Sequence, residues 1–160
     1  MSLESIEQRQ ARIVRHVLGM ETWADRYQFI MEQGDGIPRL PACWRTSAHR
    51  VPDCASRVWV RGSGDAGRLG FLGASDCPMD AGLLGLVFHL FSGEAADDII
   101  ATPPRFIEEM GLPGRMSAQR IRGAYAMVHH VRHIAIRHLL GQRPVAAVTD
   151  SMRTPSRLAG

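Results

Sequence analysis

The sequence contains no lysine, and all 19 of its basic side chains are therefore arginines. A lysine that holds pyridoxal phosphate as a Schiff base is thus excluded. The net charge is only +3, because 16 acidic side chains are spread among the arginines. Since no basic stripe with interleaved aromatic residues is present, we do not expect a nucleic acid as partner.

Long hydrophobic runs are also lacking. The longest apolar run, GLLGLVFHLF, contains a histidine and is too short to span a bilayer. The first ten residues are polar and lack the apolar segment of a signal peptide. We therefore expect a cytoplasmic protein that does not associate with membranes.

Cysteine is scarce, with only Cys43, Cys54 and Cys77 in a chain of 160 residues. An odd number of widely spaced cysteines is not a secreted disulfide framework, and it favours free thiols in a reducing compartment. The chain length suits one domain with a core of its own. We expect a single domain over residues 1–140 and a flexible C-terminal tail over residues 141–160.

Hydrophobic spacing predicts helices on both sides of a short region rich in strand-forming residues. Ser75 or Asp76 is expected to cap a buried central helix that has Pro78 in its first turn. Gly82 and Gly85 would let the sheet approach that helix closely. Thr102 is the expected cap of a later helix that starts at Pro103. The predicted helices cover residues 3–18, 21–34, 75–93, 94–102, 102–111 and 117–140.

Two strands are predicted at residues 56–62 and 68–74, with GSGDAG as a hairpin turn between them. A third short strand is expected at residues 49–51. Helices and strands are segregated along the chain, which is typical of the α+β class. The expected fold is a small antiparallel sheet of two to three strands packed against several helices.

Cys54 lies in the stretch HRVPDCASRVWV, directly before a predicted strand. The neighbouring Asp53 would raise the pKa of its thiol, whereas Arg50 and Arg57 would lower it. These local charges leave two interpretations open. The cysteine is either a small buried hydrophobic residue or a reactive thiol.

A metal site is one interpretation of the sequence HHVRH, where His129 and His133 are spaced to share one helix face. No glutamate lies between them and no third ligand is implied, so an exposed polar helix face is the favoured interpretation. We therefore expect no bound metal.

The order of several motifs resembles the SufE family, including its CsdE-like members, from about Trp23 to Ala135. Trp-x-x-x-Tyr is followed by a helix and Leu-Pro, and Cys-x-Ser-x-Val-Trp begins at Cys54. Ser-Asp then precedes an apolar helix. The remaining matches are Gly111, Leu112, Ser117, Arg120, Gly123 and Met127.

The resemblance implies that Cys54 is the catalytic acceptor of persulfide sulfur from a pyridoxal-phosphate cysteine desulfurase, either SufS-like or CsdA-like. The protein would stimulate that partner and deliver the sulfur to an iron–sulfur scaffold such as SufBCD. The cofactor would stay with the desulfurase, so that none is expected here. By the same resemblance, Asp76 and Arg120 support the reaction, and Asp53 and Ser56 belong to the cysteine loop.

Asp76 is expected either to hold this loop or to cap a helix, and Arg120 to donate to loop carbonyls or to the thiolate. Ordinary structural roles for both residues stay open at this stage.

The chain departs from the family pattern at three places. Asp53 replaces the usual glycine, which aspartate tolerates better than most residues if the position requires a positive φ. Cys77 replaces the usual alanine after Ser-Asp and is a candidate second thiol beside Cys54, although a packed small residue is the simpler interpretation. Arg122 and Ala124 flank Gly123 in place of the usual residues there.

These departures keep two other functions open. One is a regulatory module that binds a desulfurase without taking sulfur. The other is a sulfur carrier for thiolation of tRNA or of a cofactor.

Overall fold

The computed structural model describes residues 4–141, and their order of elements confirms the α+β class. Two helices come first, then a hairpin, then four further helices within the described range. The predicted tail lies outside this range from residue 142 onwards and stays a prediction. The elements are α1 (Ile6–Leu18), α2 (Trp23–Gln33), β1 (Val58–Asp65), β2 (Arg68–Ser75), α3 (Pro78–Phe91), α4 (Ala96–Ala101), α5 (Phe106–Glu109) and α6 (Ala118–Gly141).

The sheet is an antiparallel hairpin in which β1 pairs with β2 from Val58↔Ser75 to Asp65↔Arg68. The expected third strand is reduced to a single bridge between Arg50 and Trp59. Pairing stops after Val51, because Pro52 has no N–H to donate and the next residue turns into the left-handed region. The loop that follows therefore leaves the sheet after Val51 and rejoins it at Val58, where β1 begins.

The central helix α3 is buried on almost all sides, as its apolar sequence predicts. Gly82 and Gly85 of this helix do not make the expected close contact with the sheet. A Cβ at Gly82 would overlap the backbone of Ile30, and one at Gly85 would overlap that of Gln33. Both contacts belong to α2, so the glycines let helix α2, rather than the sheet, approach α3 closely.

Two predicted helix starts are wrong. The N-cap residue of α3 is Cys77, because the side chains of Ser75 and Asp76 are engaged elsewhere. The predicted helix at residues 102–111 shrinks to the single turn of α5. Pro104 disfavours helical backbone at the residue before it. The Thr102 hydroxyl donates to the backbone carbonyl of Asp98 in the preceding helix and therefore does not cap α5.

The long helix α6 closes the fold by packing against β1, α3 and α4. Its start is fixed by Ser117, whose Oγ accepts the backbone N–H of Arg120 at 3.2 Å. Arg120, in the first turn of α6, thereby faces the first turn of α3. Within residues 4–141, no helix combines the length and apolarity needed to cross a membrane.

We predict that Gly82→Ala lowers the free energy of unfolding by about 1–3 kcal/mol, because the new methyl group has to displace the α2 backbone. This loss should appear although alanine is favoured over glycine in a helix by about 1 kcal/mol. Urea unfolding followed by circular dichroism measures it. Gly36→Ala is the control, since open space surrounds that position. A Gly82 variant as stable as wild type would disprove the close α2–α3 contact.

Candidate functional site

The cysteine loop leaves the sheet edge at Val51, whose N–H donates to the carbonyl of Val58 at 2.8 Å. Asp53 has φ = 64° and is the one non-glycine residue with positive φ within the described range. This left-handed turn is easiest for glycine, and aspartate is among the residues that tolerate it best. The turn directs the next residue, Cys54, away from the sheet and towards α6.

The Cys54 side chain is half-buried against the second helical turn of α6. Its Sγ donates to the carbonyl oxygen of Gly123 at 3.6 Å. A Cβ at position 123 would lie 3.5 Å from this sulfur, so the glycine keeps space for the thiol. Burial, followed by the carboxylates of Asp80 and Asp53, raises the pKa of the Cys54 thiol to about 11, with Arg50 opposing. In this conformation the thiol is protonated at neutral pH.

A buried carboxylate, Asp80, lies at the centre of the site with only 6% of its surface exposed. One of its oxygens accepts the Ser56 hydroxyl, and the other accepts Nη1 of Arg120 at 2.9 Å. A buried carboxylate needs such partners, because an uncompensated charge away from water is costly. The cluster therefore joins the cysteine loop, the first turn of α3 and the first turn of α6.

Cys77 lies beside this cluster, at the N-terminus of α3. Nη1 of Arg120 donates to its Sγ at 3.4 Å. Partial burial and the Asp80 carboxylate oppose ionisation, but Arg120 and the backbone N–H groups of Asp80 and Met79 hold the pKa of the Cys77 thiol below its ordinary value. The two thiols of the site thus experience opposite environments.

A cavity of about 220 Å³ opens between the loop and the two helices. It reaches Ala55 and Ser56, which follow Cys54 directly, and also Gly123, against which Cys54 packs. Cys77 and Arg120 form its opposite side. The full lining is Ala55, Ser56, Cys77, Asp80, Ser117, Gln119, Arg120 and Gly123.

Asp76 lies outside the cavity and is exposed. Its carboxylate accepts the backbone N–H of Arg57 at 3.0 Å and the Arg57 Nε at 2.9 Å, and these bonds lower its pKa. It therefore holds the end of the cysteine loop, and it does not cap α3. Arg120 donates to Cys77 and Asp80, and within residues 4–141 it makes no bond to the loop carbonyls or to Cys54.

Sequence reasoning missed Asp80. One feature of the sequence does distinguish Asp80. It is an acidic residue in the first turn of a helix that is otherwise almost wholly apolar. An aspartate there is consistent with an N-terminal dipole interaction at the surface, so only the structure reveals its burial and its partners.

His129 and His133 are both exposed on α6. No group of three histidine, cysteine, aspartate or glutamate side chains suitable for a metal ion occurs in the described residues.

Comparison with known proteins gives a consistent result. The family model described as "SufE: Fe-S metabolism associated domain" matches residues 11–135. An uncharacterized SufE-like protein of Rhizobium meliloti (strain 1021) is 35% identical over 118 residues, which cover 71% of this chain and 84% of that protein. One from Rhizobium etli is 33% identical over 129 residues, covering 78% and 87%.

A solved structure shows the same fold. The solution structure of a hypothetical protein from Thermus thermophilus matches with a TM-score of 0.69 at 19% identity. The match covers 82% of this chain and 96% of that one.

The opposite thiol environments predict different pH profiles of alkylation. Cys54 should react half-maximally near pH 11, whereas Cys77 should do so below the ordinary cysteine pKa. Iodoacetamide labelling quantified on tryptic peptides separates them, since arginines lie between the two cysteines. In denaturant both profiles should converge at about pH 8.5, the unperturbed value. Identical profiles in the native protein would refute the assigned environments.

Substitutions at position 53 separate the effect of charge from that of backbone. Asp53→Gly and Asp53→Asn both remove a carboxylate that raises the pKa of Cys54, so both should shift its alkylation profile to lower pH. Only glycine also relieves the left-handed backbone, so Asp53→Gly should be the more stable of these two variants. Asp53→Ala is the matched contrast, with a loss of about 1–2 kcal/mol relative to Gly. Equal stability of the Gly and Ala variants would contradict the positive φ.

Proposed function

The chain belongs to the SufE family, and on that basis we propose that it accepts sulfur on Cys54 from the persulfide of a cysteine desulfurase. Membership associates the chain with iron–sulfur metabolism. Under the proposal, the sulfur goes on to an iron–sulfur assembly scaffold, and the protein stimulates the desulfurase by removing its product. Pyridoxal phosphate belongs to the partner, which agrees with the lack of lysine.

The observation that carries the proposal is the position of Cys54 on a loop anchored at both ends. Val51 ties the start to the sheet, and Asp76 ties Arg57 at the end. Between them the thiol is held by one weak bond to Gly123, and Ser56 is held by Asp80. A loop that is fixed around the cysteine, while the thiol itself has only one weak bond, can present that thiol to a partner without unfolding the domain.

The reaction is a thiol exchange that needs no external oxidant or reductant. The Cys54 thiolate attacks the terminal sulfane sulfur of the desulfurase persulfide. A bond forms between Cys54 Sγ and that sulfur, and the bond to the desulfurase cysteine breaks with its electron pair. The products are a Cys54 persulfide and the desulfurase thiolate.

The raised pKa of Cys54 requires movement before this attack. Burial is the largest cause of the raised pKa, and the Asp80 carboxylate is the next largest. Rotation of the thiol out of its half-buried position in the loop therefore removes the main obstacles to ionisation. Docking on the desulfurase would supply that rotation. The resting conformation then protects the thiol from alkylation and oxidation between encounters.

A second candidate is a regulatory module that docks on a desulfurase without taking sulfur. The observation that favours it is the pKa of about 11 of the Cys54 thiol. A thiol that stays in this half-buried position is protonated and is therefore a poor nucleophile. Intact mass after incubation with desulfurase and cysteine distinguishes the two functions. The carrier gains about 32 Da per sulfur atom, and the module gains none.

We predict that Cys54→Ser abolishes stimulation of alanine release by a cysteine desulfurase and prevents the mass gain, because serine cannot form a persulfide. Cys43→Ser is the matched control, since this exposed cysteine lies outside the site. It should stimulate as wild type does. Full stimulation by the Cys54 variant would refute the carrier function and favour the regulatory module.

A further inference from the structure

Cys77 occupies a position that favours an anionic sulfur atom. The Arg120 guanidinium donates to its Sγ, and the residue is the N-cap of α3, where the backbone N–H groups of Met79 and Asp80 help to lower the pKa of its thiol. An anion at a helix N-terminus is further favoured by the helix dipole. Arg120 is itself oriented by Asp80, so the donor is held in place rather than free to swing away.

The cavity links this sulfur to the surroundings of Cys54. Residues that adjoin or contact Cys54 line it on one side, and Cys77 with Arg120 lines it on the other. Its volume of about 220 Å³ is several times the share of one water molecule, which is about 30 Å³. The volume is therefore larger than one added sulfur atom requires.

We propose that Cys77 is a second sulfur-carrying residue, which takes the sulfane sulfur from the Cys54 persulfide across the cavity that Ser56, Gly123 and Arg120 line. This relay rests on the proposed function of Cys54 as first acceptor. The Cys77 thiolate attacks the terminal sulfur of Cys54–S–SH and forms Cys77–S–SH. The Cys54–sulfur bond breaks, and its electron pair leaves on the Cys54 thiolate. A proton then passes from the new persulfide to Cys54, so that atoms and charge balance without a redox partner.

Electrostatics set the direction of the transfer. At Cys54 the carboxylates of Asp80 and Asp53 oppose any anionic sulfur, including that of an ionised persulfide. At Cys77 the Asp80 carboxylate opposes an anion as well, but the hydrogen bond from Arg120 outweighs it, so that the pKa of this thiol is lowered. Transfer thus leaves the neutral thiol at Cys54 and places the anion beside the Arg120 guanidinium, which favours Cys77 at equilibrium.

The test locates the sulfur over time. The wild-type protein is mixed with a cysteine desulfurase and cysteine, quenched with iodoacetamide at intervals, and digested with trypsin. Sulfur transfer is read as a gain of about 32 Da on a peptide, beyond the mass that alkylation adds. Arginine positions place the three cysteines in separate peptides: residues 40–45 for Cys43, 51–57 for Cys54 and 69–105 for Cys77.

We expect sulfur first on the Cys54 peptide and later, in several-fold excess, on the Cys77 peptide. Sulfur that stays on the Cys54 peptide at all times would overturn the relay while leaving the proposed function intact. Sulfur on neither peptide would overturn both. Equal labelling of the Cys43 and Cys77 peptides would also overturn it, because that result means unspecific exchange.

Four variants test the order of transfer and its cause. Cys54→Ser should leave the Cys77 peptide unlabelled, and direct labelling there would contradict the relay. The Cys77→Ser variant should still be fully labelled on the Cys54 peptide. This labelling shows that the variant is folded and has lost only the relay. Arg120→Gln should slow labelling of the Cys77 peptide about tenfold, with partial rescue by Arg120→Lys, because one charge-assisted hydrogen bond to the sulfur is lost. An unchanged rate in Arg120→Gln would show that the guanidinium does not position Cys77.

Discussion

The ion pair between Asp80 and Arg120 is the interaction on which the site depends. It joins the first turns of α3 and α6, and Ser56 adds the cysteine loop through the other carboxylate oxygen. A carboxylate so far from water is tolerated only because both of its oxygens are bonded. Removal of either partner would leave a buried charge, whereas the intact cluster fixes three separate segments of chain around one cavity.

The same pair gives the two cysteines different chemistry. Its carboxylate raises the pKa of both thiols, but at Cys77 the guanidinium outweighs it and the pKa is lowered. One ion pair therefore acts on both thiols beside a cavity of about 220 Å³. A neutral thiol is favoured at one end and an anionic sulfur at the other, which is the arrangement that a directed transfer of sulfur requires.

The α+β class, the hairpin and the buried central helix could be predicted from the sequence, because each rests on local periodicity and turn residues. Features that depend on long-range partners could not. Gly82 and Gly85 indicated a close contact, but the contacting element was α2 and not the sheet, since a missing side chain does not identify its neighbour. Asp80 was missed for a related reason. Its importance comes from Ser56 and Arg120, which lie 24 and 40 positions away along the chain.

The two departures from the family pattern nearest the site reinforce each other. Asp53 accepts a left-handed turn that glycine would adopt more easily, and its carboxylate makes an anion on Cys54 less favourable. Taken alone, this substitution would weaken a sulfur acceptor. Under the proposed relay, however, the same carboxylate would favour onward transfer, because it disfavours an anion on Cys54. Asp53 would then act together with Cys77, as a residue that shortens the time that sulfur spends on Cys54.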